Sequence, residues 1–202
     1  YNLDLQEIGI KKFSLRPVWC ITALILPLAI LSAFTLIIGT QDLFPYDNIT
    51  TFINVISLYY ISVVIPQEMI LCCVIIGIIR KNYNIKSAVI ISSVIYSIIN
   101  IAISNNLNST NIIPLFITGI MAGMMFALVL IESGNFWNNV LINISVAMLT
   151  ISTVVMGIDI NDNNAIKFSV ISTIGYIIVS IIAFIMIKRK GNSVYDTMGQ
   201  LS

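Results

Sequence analysis

The chain has 202 residues, of which 58% are hydrophobic and only 9% charged, with a net charge of +1. An average soluble domain carries about 25% charged residues, so a water-soluble globular fold is excluded, and the near balance of ten basic and nine acidic residues points to no nucleic-acid partner. There is no histidine, which removes the commonest metal ligand and the commonest general base at neutral pH.

Other compositional bounds are brief. Cys20, Cys72 and Cys73 all lie in apolar runs and two are adjacent, so neither a disulfide framework nor a zinc site is expected. No metal and no cofactor is expected. The 44 isoleucines and 18 asparagines are a bias of the kind expected from an AT-rich bacterial genome. The chain starts at Tyr1 rather than Met and reads as a fragment or processed product, with no signal-peptide pattern.

Residues 1–16 read as a basic juxtamembrane linker. Within it Ile8–Leu15 is amphipathic, either as an interfacial anchor or as an ordinary linker. A transmembrane helix needs about 20 mostly apolar residues to cross a hydrocarbon core of about 30 Å. Six runs qualify: 17–40, 52–79, 87–103, 112–131, 139–156 and 166–187. The period-two alternation of a membrane β-barrel is absent. The expected fold is an all-α, polytopic transmembrane helix bundle over 17–190, followed by a cytoplasmic tail at 191–202. The second run, at 28 residues, is too long for a straight span, and Pro66 near its middle predicts a kink. The third run is barely long enough.

Basic residues orient the bundle. Lys11, Lys12 and Arg16 precede the first span; Arg80, Lys81 and Lys86 follow the second; Lys188, Arg189 and Lys190 follow the sixth. The other side holds Asp42, Asp47, Asp159 and Asp162, with Lys167 alone among the cations. The expectation is a multi-pass cell-membrane protein with both termini cytoplasmic. Glu132 falls in the loop after the fourth span and carries no orientation signal. Gly119 and Gly123 form a small-residue packing motif. Tyr59, Tyr60 and Trp137 lie near span ends, as interfacial aromatics do. The Asn-Ser-Thr at Asn108 is read as a chance sequon match.

Glu68 is the one carboxylate expected deep within a span. An ionised acid at mid-bilayer costs at least about 2.5–3.5 kcal/mol on insertion scales, so it should face the bundle interior, stay protonated, or both. Gln67, Asn100 and Asn143 are costly in lipid unless partnered and should join it in one polar cluster, with Ser92, Ser93, Ser97 and Ser145 lining it. The alternative is that all of these merely hydrogen-bond helices together.

The order and spacing of these residues resemble the CAAX-protease and bacteriocin-processing (CPBP, or Abi) family of intramembrane proteases. That family carries Glu-Glu-x-x-x-Arg in one helix, Phe-x-x-x-His in the next and His-x-x-x-Asn/Asp in a later one. Here the segments read PQEMILC from Pro66, YSIIN from Tyr96 and NISVA from Asn143. The stretch from Gly119 to Asn143 (GIMAGMMFALVLIESGNFWNNVLIN) and the opening IGIKKFSLRP also resemble family phrasing. The resemblance covers nearly the whole chain, and family members usually have further N-terminal spans, so two spans are expected to be missing here.

Five of six signature positions depart from the family pattern. Gln67 replaces the first Glu while Glu68 keeps the second; Cys72 stands for Arg, Asn100 and Asn143 for the two His, and Ala147 for the final Asn/Asp. The resemblance implies that the first Glu and first His activate water, and that the last motif stabilises an oxyanion. Gln67 and Asn100 amides cannot accept a proton. Asn143 could still donate to an oxyanion. Glu68 is the sole remaining base, and with no cation expected beside it burial favours its neutral form, a poor base. No intact catalytic set is expected. The replacements keep hydrogen-bonding groups in place, which argues for a retained polar pocket of Gln67, Glu68, Asn100 and Asn143. The leading expectation is a non-catalytic binder of a peptide or membrane-protein partner, of the bacteriocin self-immunity or scaffold type. An endopeptidase relying on Glu68 is the alternative. A small transporter component is more remote, for want of a second intramembrane charge and of an internal repeat.

Overall fold

The computed structural model describes residues 13–38, 64–70, 76, 78–79, 84–103, 112–155 and 162–199. Among these the regular structure is helical: α1 (Pro17–Ile38), α2 (Ile65–Glu68), α3 (Ile85–Ile103), α4 (Ile112–Ser133), α5 (Trp137–Val155) and α6 (Asp162–Gly199). Four segments are long and apolar enough to cross a membrane: Pro17–Ile37, Ile85–Ala102, Ile112–Ser133 and Asn164–Lys190. They fall on the expected first, third, fourth and sixth spans. The fifth, 139–156, falls on α5. Most of the second, 52–79, lies outside the described residues, and so does the kink expected across it.

Helix boundaries follow local chemistry. Asn84 caps α3: its side-chain oxygen accepts from the Ser87 amide at 2.8 Å, which moves the start to Ile85, ahead of the expected 87. Pro114 lies in the first turn of α4, where its missing N–H costs nothing. Gly134 ends α4 at φ 64°, donating to the Leu130 carbonyl at 2.8 Å. That left-handed conformation favours glycine. The helix thus continues to Ser133, and Glu132 belongs to its last turn rather than to a loop. Asn135 starts α5 by accepting from the Trp137 amide at 3.2 Å, as Asx turns do. The final helix runs to Gly199, through most of the stretch expected to be a tail.

Helix α4 is the centre of the bundle, packing on α3, α5 and α6, while α1 lies against α5 and α6. Its Met125, Phe126, Ala127 and Val129 are buried, with Trp19, Ala23 and Ile30 of α1 and Val179 and Ala183 of α6. Faces point the way a bilayer requires. On α3, Ala88, Val89, Ser92, Ser93, Tyr96 and Ser97 are buried, while Ile85, Ile90, Ile91 and Ile98 are exposed. Apolar branched side chains outside and small ones inside let helices approach closely in lipid.

That approach is tightest between α3 and α4. A Cβ added at Gly119 would stand 2.7 Å from Ser97 Oγ, and one at Gly123 would stand 2.8 Å from Ser93 Cα. The later residue of one helix meets the earlier residue of the other, so the pair is antiparallel. Ser93 and Ser97 therefore form the small-residue partner of the Gly119/Gly123 motif. Ser97 also donates to the Phe116 carbonyl across the interface at 2.7 Å. Between α4 and α6, Thr118 and Thr173 hydroxyls lie 2.9 Å apart.

Candidate functional site

The four residues expected to cluster are brought together as two hydrogen-bonded pairs. Glu68 ends α2 and is fully buried; its Oε1 accepts from the Asn143 side-chain amide of α5 at 2.6 Å. Next to it, the Gln67 amide donates to Asn100 Oδ1 of α3 at 3.4 Å. Asn100 in turn donates to the Tyr96 carbonyl at 3.1 Å. Because Gln67 and Glu68 are adjacent, a single helical turn reaches α3 with one side chain and α5 with the other. Pro66 lies in the first turn of α2, where its ring pre-sets the helical φ.

Ala147 lies one turn beyond Asn143 on α5 and is half-buried; its methyl offers no hydrogen-bonding group. Cys72 lies outside the described residues. Of the four serines expected to line the cluster, Ser92 and Ser93 donate to the Val89 carbonyl, Ser145 to the Leu141 carbonyl, and Ser97 to α4. Their hydroxyls are committed to backbone. Among the described residues no three His, Cys, Asp or Glu side chains converge as a metal would need.

Chemically the cluster is an acid among amides. Side-chain amide N–H groups donate to a carboxylate oxygen and to carbonyl oxygens. Neither Gln67 nor Asn100 can take up a proton. One of the two Asn143 side-chain N–H groups is committed to Glu68.

The sequence reading missed a second buried carboxylate. Glu132, in the last turn of α4, has a fully buried side chain. Its Oε1 lies 2.5 Å from Arg16 Nη1 and 2.8 Å from Lys190 Nζ. Its Oε2 accepts from the Trp19 indole at 2.8 Å, and Lys190 also donates to the Glu132 backbone carbonyl at 2.6 Å. Asn138 accepts from the Arg16 amide at 3.0 Å. A carboxylate at a helix C-terminus opposes the helix dipole; two cations and an indole N–H offset that cost. The approach to α1, the α4–α5 turn and the far part of α6 are thereby tied at one end of the bundle. The available signal was Glu132 two residues ahead of Gly134, a glycine suited to ending a helix.

The start of α1 and the Lys190 turn of α6 thus lie at the same end, where Trp137 meets Phe13 edge-on and Phe136 at a tilt. No family model, curated protein or solved structure matches this chain.

Proposed function

We propose that this is a multi-pass membrane protein that binds a peptide or a membrane-protein partner without cutting it, a catalytically degenerate relative of the CPBP intramembrane proteases. The pairing of Glu68 with Asn143, beside that of Gln67 with Asn100, carries the reading. Amide groups sit where a protease of that type would hold its bases, and they hydrogen-bond rather than leave an apolar plug. Gln67, Asn100 and Asn143 are half-buried, so part of each remains open to a bound chain. Peptide backbone offers the matching donors and acceptors.

Residual proteolysis by Glu68 is the second reading. Against it stand the complete burial of Glu68 and its bond to Asn143. The basic end that gathers Arg16 and Lys190 supports a cytoplasmic placement for that face under the positive-inside rule.

The test is affinity capture of the full chain from mild detergent with mass spectrometry, comparing wild type with Gln67→Leu/Asn100→Leu/Asn143→Leu. A discrete partner retained by wild type and lost from the triple variant is expected. Equal capture by both proteins, or none by either, overturns the binding reading. Turnover of captured peptide by wild type, abolished in Glu68→Gln, would establish the protease instead.

A further inference from the structure

Helix α5 enters the bundle through two fully buried asparagines that stand outside the polar cluster, Asn138 and Asn139. Asn138 accepts from the Arg16 amide at 3.0 Å, which ties it to the approach of α1. Asn139 donates to the Phe126 carbonyl at 2.8 Å. That carbonyl lies inside α4, about two turns before the helix ends at Ser133. Successive helical residues point about 100° apart, so the two bonds hold α5 from two directions, one towards α1 and one against α4.

Stability does not explain the Asn139 bond. Its Oδ1 is buried with no hydrogen-bond partner among the described residues, and an unmet acceptor in an apolar interior is a net cost. The Phe126 carbonyl lies within the helical run of α4 and accepts the amide four residues on with or without Asn139. Leucine, of similar size, would leave no buried polar group unpaired at this position. What the amide adds is direction. Four residues on, Asn143 projects from the same face of α5, and its 2.6 Å bond to Glu68 tolerates little movement. Side-chain tips lie about 5 Å from a helix axis, so a rotation of about 20° carries one sideways by about 2 Å, past hydrogen-bonding distance.

We infer that Asn139 is a positioning residue for the polar cluster: by hydrogen-bonding the Phe126 carbonyl it sets the rotation of α5 on α4 that aims Asn143 at Glu68. Its consequence for partner binding rests on the pocket reading above; its effect on the Glu68–Asn143 bond does not.

The experiment is a double-mutant cycle on Glu68→Gln and Asn143→Ala, read from unfolding of the full chain in detergent, in three backgrounds: wild type, Asn139→Leu and Ser145→Ala. Wild type should show about tenfold non-additivity in the unfolding constant. In Asn139→Leu that coupling should fall below about twofold, while Asn139→Leu alone unfolds within about 3 °C of wild type. Ser145 donates to the Leu141 carbonyl of its own helix, and Ser145→Ala should leave the coupling intact. If Asn139→Leu does not fold, Asn139→Ala decides by the same reading. No coupling in wild type, undiminished coupling in the Asn139 variant, or an equal fall in Ser145→Ala overturns the positioning role. A lowered midpoint with the coupling intact marks Asn139 as merely structural and overturns it too. Affinity capture with Asn139→Leu separates this inference from the pocket reading. Loss of the partner along with the coupling is expected; with the coupling lost and the partner retained, Asn139 still positions the cluster and the pocket reading fails instead.

Discussion

The guanidinium of Arg16 lies 2.5 Å from the carboxylate of Glu132, joining the residue that leads into α1 to the last turn of α4. With Lys190 on the same oxygen, three helices are tied through one buried side chain. Breaking a buried ion pair from one side costs about 3–5 kcal/mol; here both cations are half-open and can rehydrate, which lowers the figure. Glu132→Ala should therefore destabilise the protein by about 2–3 kcal/mol. Glu132→Gln should cost less, since an amide oxygen can still accept from Trp19. Thermal unfolding in detergent checks both, and an unchanged midpoint for Glu132→Ala would show that the ion pairs are not structural.

Side chains at Gly119 and Gly123 would force α3 and α4 apart. The nearest atoms to an added Cβ at Gly123 are Ser93 Cα and Tyr96 Cβ, at 2.8 and 2.9 Å, which cannot rotate away. Gly123→Val should cost about 1–3 kcal/mol, the range for overpacking. The comparison is Ile120→Val on the same helix, expected to lie within about 1.5 kcal/mol of wild type.

The two pairs of the polar cluster should differ in strength. Asn143 reaches Glu68 at 2.6 Å, whereas Gln67 reaches Asn100 at 3.4 Å, near the limit for a hydrogen bond. A double-mutant cycle on Glu68→Gln and Asn143→Ala should give a coupling of about 1–2 kcal/mol, and one on Gln67→Ala and Asn100→Ala about 0.5 kcal/mol or less. Equal couplings would mean that the cluster relaxes away from this geometry.

Gly134 adopts φ 64°, a conformation that costs a side-chain-bearing residue about 1–2 kcal/mol. Gly134→Ala should lower stability by about that amount, and Gly134→Asn by less, because asparagine tolerates the left-handed region. Chemical unfolding of the two variants side by side measures the order.

Much of this architecture is legible in the amino-acid order. Long apolar runs place the four membrane-length helices to within a few residues, because lipid demands both length and hydrophobicity of a span. Gly119 and Gly123 are readable as a packing motif for the same reason: only a missing side chain permits that closeness. Gln67, Glu68, Asn100 and Asn143 stand out because polar groups in apolar runs need partners. Ser93 and Ser97 belong to the opposite case. As isolated hydroxyls they suit a polar pocket equally well, and only the antiparallel placement of α3 on α4 commits them to the glycines.

Glu132 marks the limit of sequence reading. Two residues ahead of a glycine, it resembles any loop acid, and Arg16 and Lys190 resemble any positive-inside cations. Hydrophobic length and residue chemistry are local properties, so the sequence by itself determined that the chain is a helical membrane protein and which polar residues must find partners within it. Which partners they find depends on the distance between helices far apart along the chain. Tertiary structure alone decided that Glu68 faces Asn143, and that Arg16 and Lys190 share one carboxylate.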